Sequence, residues 1–154
     1  MARAQGYDLI GDVHGCGMTL CHLIEDMDYR KVNGIYQHPK GRKVVFIGDI
    51  VDRGPNIRLA LNVVRDMVEH GHAHMVMGNH EYNVLAFCTP SRPGSEHPFL
   101  REHTSRNSFI VEETMRQFEP YPQEWRDYLS WFLTLPLYQE FEHFRAVHAC
   151  WDHD

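Results

Sequence analysis

The sequence predicts an α/β domain whose first half is built on a largely parallel sheet, and three observations carry that reading. Short apolar runs suited to strands alternate with stretches whose apolar residues recur at helical spacing. Three of the strand-like runs end in glycine-bounded turns rich in polar side chains: Gly11-Asp12-Val13-His14-Gly15, Gly48-Asp49-Ile50-Val51-Asp52-Arg53-Gly54 and Gly78-Asn79-His80-Glu81. A chain of 154 residues, 43% apolar and 23% charged, is also long enough to bury one core. Strand–helix–strand units of this kind pair in parallel through right-handed crossovers. Their ligands sit beyond the C-terminal strand ends, where the three turns fall.

Tyr7 to Ile10 is the first strand, stopped by Gly11. Leu20, Leu23, Ile24 and Met27 then make one helical stripe. Val32 to Tyr36 fits either a short strand or a loop, and Pro39-Lys40-Gly41 marks a turn. Lys43 to Ile47 is a β-branched strand closed by Gly48. Pro55 suits the first turn of a helix whose apolar face is Ile57, Ala60, Leu61, Val64, Met67 and Val68, with Gly71 as its C-terminal stop. Ala73 to Met77 is the third strand. His70, His72 and His74 lead into it and read as solvated strand residues rather than a metal cluster.

In the second half, Tyr82 to Phe87 continues a helix out of the third turn. Thr89 to Pro98, with three prolines and Gly94, reads as an exposed loop. Helices follow at Ser108 to Phe118 and Gln123 to Leu133, with Trp125, Trp131 and Phe132 as core. Leu137 to Phe141 and Phe144 to Val147 read as paired strands that deliver His148 at a strand end.

The net charge of −6 argues against a nucleic-acid or anionic-membrane binder. No apolar run approaches the roughly 20 residues of a membrane helix, and residues 1–6 lack a signal-peptide core, so the expected location is cytoplasmic. Cys16, Cys21, Cys88 and Cys150 show no paired spacing and read as free thiols, mostly buried fillers.

The turns themselves carry the chemistry. They place hard carboxylates (Asp12, Asp49), imidazoles (His14, His80), an amide (Asn79) and a guanidinium (Arg53) at strand ends. That inventory suits two divalent cations with a phosphate between them. Mixed oxygen and nitrogen donors without thiolate favour manganese, iron or zinc. Arg53 offers a planar fork matched to a phosphate edge. Taken singly, each feature has a plainer reading: Asp12 as a helix cap, Asp52-Arg53 as a surface ion pair, His80-Glu81 as a helix turn without chemistry.

Together the three motifs, followed by Ala146-Val147-His148-Ala149-Cys150, resemble the metallophosphoesterases of the phosphoprotein phosphatase branch, with Cys150 where glycine is usual. The likeness runs from Tyr7 to about Trp151. It implies a calcineurin-like β-sandwich flanked by helices, its second sheet incomplete here, forming the N-terminal part of a metallophosphoesterase domain over 1–154. The resemblance assigns Asp12 and His14 to a first metal, Asp49 to both, and Asn79 and His148 to a second. It makes Arg53 the phosphate clamp, His80 the acid for the leaving group and Asp52 the residue that orients His80. Asn79, His80 and Arg53 would also contact substrate.

The implied activity is hydrolysis of phosphate monoesters by a metal-bridging hydroxide, with a phosphoserine or phosphothreonine protein as substrate. The alternatives are a symmetrical dinucleoside tetraphosphatase and a non-catalytic metal- and phosphate-binding fragment. Members of the family continue past the position of Asp154 and draw a further histidine and a second phosphate-gripping arginine from there. No clear replacement is expected in this chain, although Asp152 and His153 are donor-type residues. The second metal should therefore bind more weakly, and unpaired sheet edges should favour self-association. Substrate choice is expected to lie around Thr89 to Arg106, with Phe99 as the stacking aromatic for a nucleotide.

Overall fold

The computed structural model describes residues 6–152. The N-terminal segment read above and His153 lie outside them. In chain order the elements are β1 (Tyr7–Ile10), α1 (Gly17–Asp26), β2 (Arg30–Val32), β3 (Ile35–Gln37), β4 (Lys43–Phe46), α2 (Ile57–Glu69), β5 (Ala73–Met75), α3 (Asn79–Cys88), α4 (Ser105–Phe118), α5 (Pro122–Phe132), β6 (Tyr138–Glu140) and β7 (Arg145–Val147). β1, β4 and β5 form a parallel sheet in that order, as the alternation of strands and helices predicts. Among the described residues no helix is long and apolar enough to cross a membrane.

The core lies on one side of this sheet. Val44, Phe46 and Met75 face it, and Ile24, Ile57, Leu61, Val64 and Met67 meet them from α1 and α2. The aromatic residues of α4 and α5 (Phe118, Trp125, Tyr128, Trp131 and Phe132) extend the same core. α2 starts at Ile57, two residues after Pro55, and its first N–H is capped from α4 by Gln117 Oε1 at 2.8 Å.

The opposite side is covered by the antiparallel β6–β7 hairpin. Val45, Val76 and Ala146 are buried there, with Tyr7, Ile47, Phe141 and Phe144 packed against them. This hairpin is the second layer that the sequence implies only in part. The histidine run needs correction. His70 sits at the C-terminus of α2, and His74 is not solvated: its ring packs edge-on against Phe141, and Nδ1 lies 3.0 Å from Gln139 Nε2. A cross-strand aromatic surface on the hairpin, invisible to local pattern, supplies the partner. The cysteines are free thiols, but Cys16 and Cys150 are exposed rather than buried fillers.

The segment between α3 and α4 is exposed as expected, and its ends are pinned. The His103 ring is stacked between Phe87 (3.7 Å between centroids) and Phe99 (4.2 Å). One face of Phe99 is thus already used.

Candidate active site

The first two turns run side by side as paired backbone. His14 N–H donates to Asp49 O at 2.8 Å, Gly15 N–H to Ile50 O at 2.8 Å, and Gly54 N–H returns to His14 O at 2.9 Å. The third turn docks on the second through the gap left by missing side chains: a Cβ on Gly48 would sit 2.3 Å from Gly78 N. Glu81 locks the junction. Its carboxylate is fully buried and accepts from the N–H groups of Gly78, Asp49, Ile50 and Val51 at 2.7–3.2 Å. Burial pushes that carboxyl above its usual range, and the backbone donors offset the rise only in part.

Strain is concentrated in the same place. Asp12, His14, Asp49, Asp52 and Arg53 all have φ between 42° and 69°. Left-handed backbone is uncommon outside glycine, although aspartate and histidine tolerate it best. Its clustering in two turns marks a site whose geometry is imposed by the surrounding structure.

Asp49 is the hub. It is 3% exposed, and its Oδ1 accepts from the His80 N–H at 2.9 Å. Its Oδ2 faces three imidazole Nε2 atoms: His148 at 3.4 Å, His14 at 3.7 Å and His80 at 4.0 Å. Asp12 Oδ1 lies 3.9 Å from His14 Nε2 on the open side. His148 Nε2 lies 2.9 Å from Asn79 Oδ1.

The donor chemistry fits divalent cations. His14 Nδ1 is bonded to Val51 O (3.1 Å) and His148 Nδ1 to Ile47 O (2.7 Å). A carbonyl only accepts, so Nδ1 carries the proton in both rings, and Nε2 of the neutral imidazole presents a lone pair toward Asp49. His148 Nε2 and Asn79 Oδ1 then form a pair of lone-pair donors that a shared cation or a proton stabilises. Asp12, His14 and Asp49 suit one ion, and Asp49, Asn79 and His148 suit a second.

His80 differs from the other two imidazoles. His14, Asp49 and His80 bring one ligand-type atom each within 4.8 Å of one another, so by distance His80 could be a ligand. Its Nδ1, however, lies 2.6 Å from Asp52 Oδ2, and that hydrogen bond raises its pKa despite the opposing effect of burial. An imidazolium has no lone pair to offer a metal, but it has a proton to give. Asp52 is fully buried and is itself held by Thr114, whose Oγ1 donates to Asp52 Oδ1 at 2.5 Å and accepts from Asp52 N–H at 3.0 Å. Arg53 is exposed at the mouth of a cavity of about 610 Å³ that His80, Phe109, Ile110, Glu112, Glu113 and Arg116 also line.

The model of the calcineurin-like phosphoesterases matches residues 7–151. The chain belongs to that family. The asymmetrical bis(5'-nucleosyl)-tetraphosphatase PrpE of Halalkalibacterium halodurans is 30% identical over 141 residues, covering 92% of this chain and 54% of that protein. The protein of the same name from Bacillus cereus strain B4264 is 31% identical, covering 92% and 55%. This chain thus spans about half the length of the curated relatives it matches. The fold agrees with a metallophosphoesterase from Sphaerobacter thermophilus at a TM-score of 0.56 and 20% identity, covering 90% of this chain and 44% of that one.

In this member of the family, every site residue expected from sequence falls in or beside one cleft. Asp12, His14, Asp49, Asn79, His80 and His148 converge, and Asp52 and Arg53 flank them. Three site residues went unassigned: Glu81, Thr114 and Gln117. Glu81 stands inside the third motif, and an acid two positions after Asn79 is the signal that could have flagged it. Thr114 and Gln117 carry no local signal, because their partners lie 62 and 60–63 residues away. Arg116 of α4 also lines the cavity beside Arg53. The cavity wall opposite Arg53 and His80 comes from α4, through Phe109, Ile110, Glu112, Glu113 and Arg116.

Proposed function

We propose that this chain carries the catalytic half of a metal-dependent hydrolase that cleaves phosphoric esters and anhydrides, with nucleoside polyphosphates as its substrates. The observation that supports this best is the Asp49 carboxylate facing three imidazole nitrogens at 3.4–4.0 Å, one of them belonging to His80, whose other nitrogen is paired to the buried Asp52. Asp12, His14 and Asp49 would hold one divalent ion, and Asp49, Asn79 and His148 another, with manganese, iron or zinc favoured by donor type. When bound, such ions supply Lewis acidity toward a phosphoryl oxygen and toward water.

The chain's own groups do the rest. Arg53 grips equatorial phosphate oxygens and aligns phosphorus with its leaving oxygen. His80, held by Asp52, points Nε2 into the cleft and delivers its proton to the departing oxygen. The oxygen of a water molecule forms the new P–O bond and gives up a proton to solvent, while the bond to the leaving oxygen breaks as that oxygen takes the His80 proton. Asp52 keeps Nδ1 protonated throughout, so one tautomer serves each turnover. Nucleotide substrates are preferred over phosphoproteins because the relatives that match 92% of this chain carry a dinucleoside tetraphosphatase name.

The test is hydrolysis after chelation and add-back of manganese, iron or zinc. Diadenosine tetraphosphate should turn over only with metal, and faster than a phosphoserine peptide. Arg53→Ala should lower kcat/KM by about a hundredfold. Metal-independent turnover, or a peptide rate exceeding the nucleotide rate, contradicts the proposal.

A further inference from the structure

The cavity beside Arg53 and His80 is much larger than a phosphate group requires. At about 610 Å³ it falls in the range of sites that enclose a whole small molecule. Its outer wall is α4, which presents Phe109, 77% exposed, and Arg116 two helical turns further on. Seven residues of helix span about 10.5 Å, a length on the scale of a base plus its phosphate tail.

Arg116 is pre-positioned. Nε donates to Glu113 Oε2 at 2.9 Å and Nη2 to Glu113 Oε1, which leaves Nη1 for a ligand. Glu113 is fixed in turn by Gln117, whose Nε2 donates to Glu113 Oε1 at 2.6 Å and to Gly54 O at 3.0 Å. The second guanidinium is therefore tied to the turn that carries the first. The phosphate of a phosphopeptide could use the same arginines, but its extended chain would look for exposed backbone groups or a strand edge. This wall offers neither, because the backbone of a helix interior is already bonded to itself. It offers an aromatic face and a guanidinium already paired with Glu113, with the Glu112 carboxylate lining the same cavity.

We infer that the cleft between α4 and the Arg53 turn is a nucleotide subsite for the leaving group, with the base stacked on Phe109 and the phosphates lying between Arg53 and Arg116. The assignment rests on the hydrolase reading above and extends it to specific residues. Base–aromatic stacking is worth about 1–3 kcal/mol per base by alanine substitution, or roughly 5- to 150-fold in affinity.

The experiment is calorimetric titration of the manganese-supplied chain with ADP, with inorganic phosphate and with a phosphoserine peptide. The wild-type chain should bind ADP at least about tenfold tighter than phosphate. Phe109→Ala should erase most of that difference without changing phosphate affinity, and Phe109→Trp should restore it. Phe109 is exposed, so its truncation does not threaten folding. Arg116→Ala should weaken ADP more than phosphate. If phosphate binds but Phe109→Ala leaves ADP unchanged, or the peptide binds tighter than ADP, the subsite is wrong and the hydrolase reading stands. If the wild-type chain binds none of the three anions, both fall.

Discussion

Thr114 ties the tautomer of His80 to α4. Its hydroxyl makes two hydrogen bonds to Asp52, whose carboxylate bonds His80 Nδ1. Removing it leaves a buried carboxylate oxygen and a buried N–H unpaired, a cost of about 1–3 kcal/mol for each. Thr114→Val should therefore lower kcat by roughly tenfold with little change in KM, and shift the alkaline limb of the pH–rate profile, because the support of His80 is weakened but the binding groups are untouched. Thr114→Ser should recover most of the rate. An unchanged profile in the valine variant would make Thr114 merely structural. The ligand-type residues could be read from the sequence because glycine-bounded turns and donor chemistry coincide in single short stretches. Thr114 could not, since a threonine in an amphipathic helix looks the same whatever it faces. The left-handed backbone at Asp12, His14, Asp49, Asp52 and Arg53 was equally hidden, for it is set by contacts between turns.

Elements were legible where a period spoke clearly. The stripes of α1 and α2 and the β-branched β4 emerge as expected, with shifts of a residue or two at their ends. β2 and β3 were left open between strand and loop, yet the Asn33-Gly34 pair between them is a hairpin signal. Both residues have positive φ, 53° and 86°, as a tight primed turn requires. The docking of β6–β7 was legible only as a pair of strands, because its partner surface on the sheet is assembled from residues far apart in sequence. His74 reports on that docking. Burial beneath the hairpin lowers its pKa below the ordinary histidine value, so the folded chain resists protonation more than the unfolded chain does. Stability is then fully present above the unfolded value near 6.5 and declines as pH falls through it toward the lower folded value. His74→Phe should flatten that part of the stability profile in denaturant titrations at stepped pH. Equal slopes in both proteins would mean that the hairpin does not cover the ring.

At the scale of the molecule, a parallel sheet aims three turns at one end, backbone bonds join the first to the second, Glu81 bolts the third to the second, and the hairpin brings His148 to the same place from across the sheet. This convergence brings the residues proposed to hold two ions to one place in a chain that spans about half the length of the relatives it matches. Asp49 stands between the two sets, so its charge is the one feature both ions would share. The most direct measurement is metal content by elemental analysis after desalting, comparing the wild-type chain with Asp49→Asn. The wild-type chain should retain at least one equivalent of manganese, iron or zinc, with a second bound more weakly in titration, and Asp49→Asn should retain none. Equal retention by the two proteins would contradict the shared-carboxylate site on which the proposed chemistry depends.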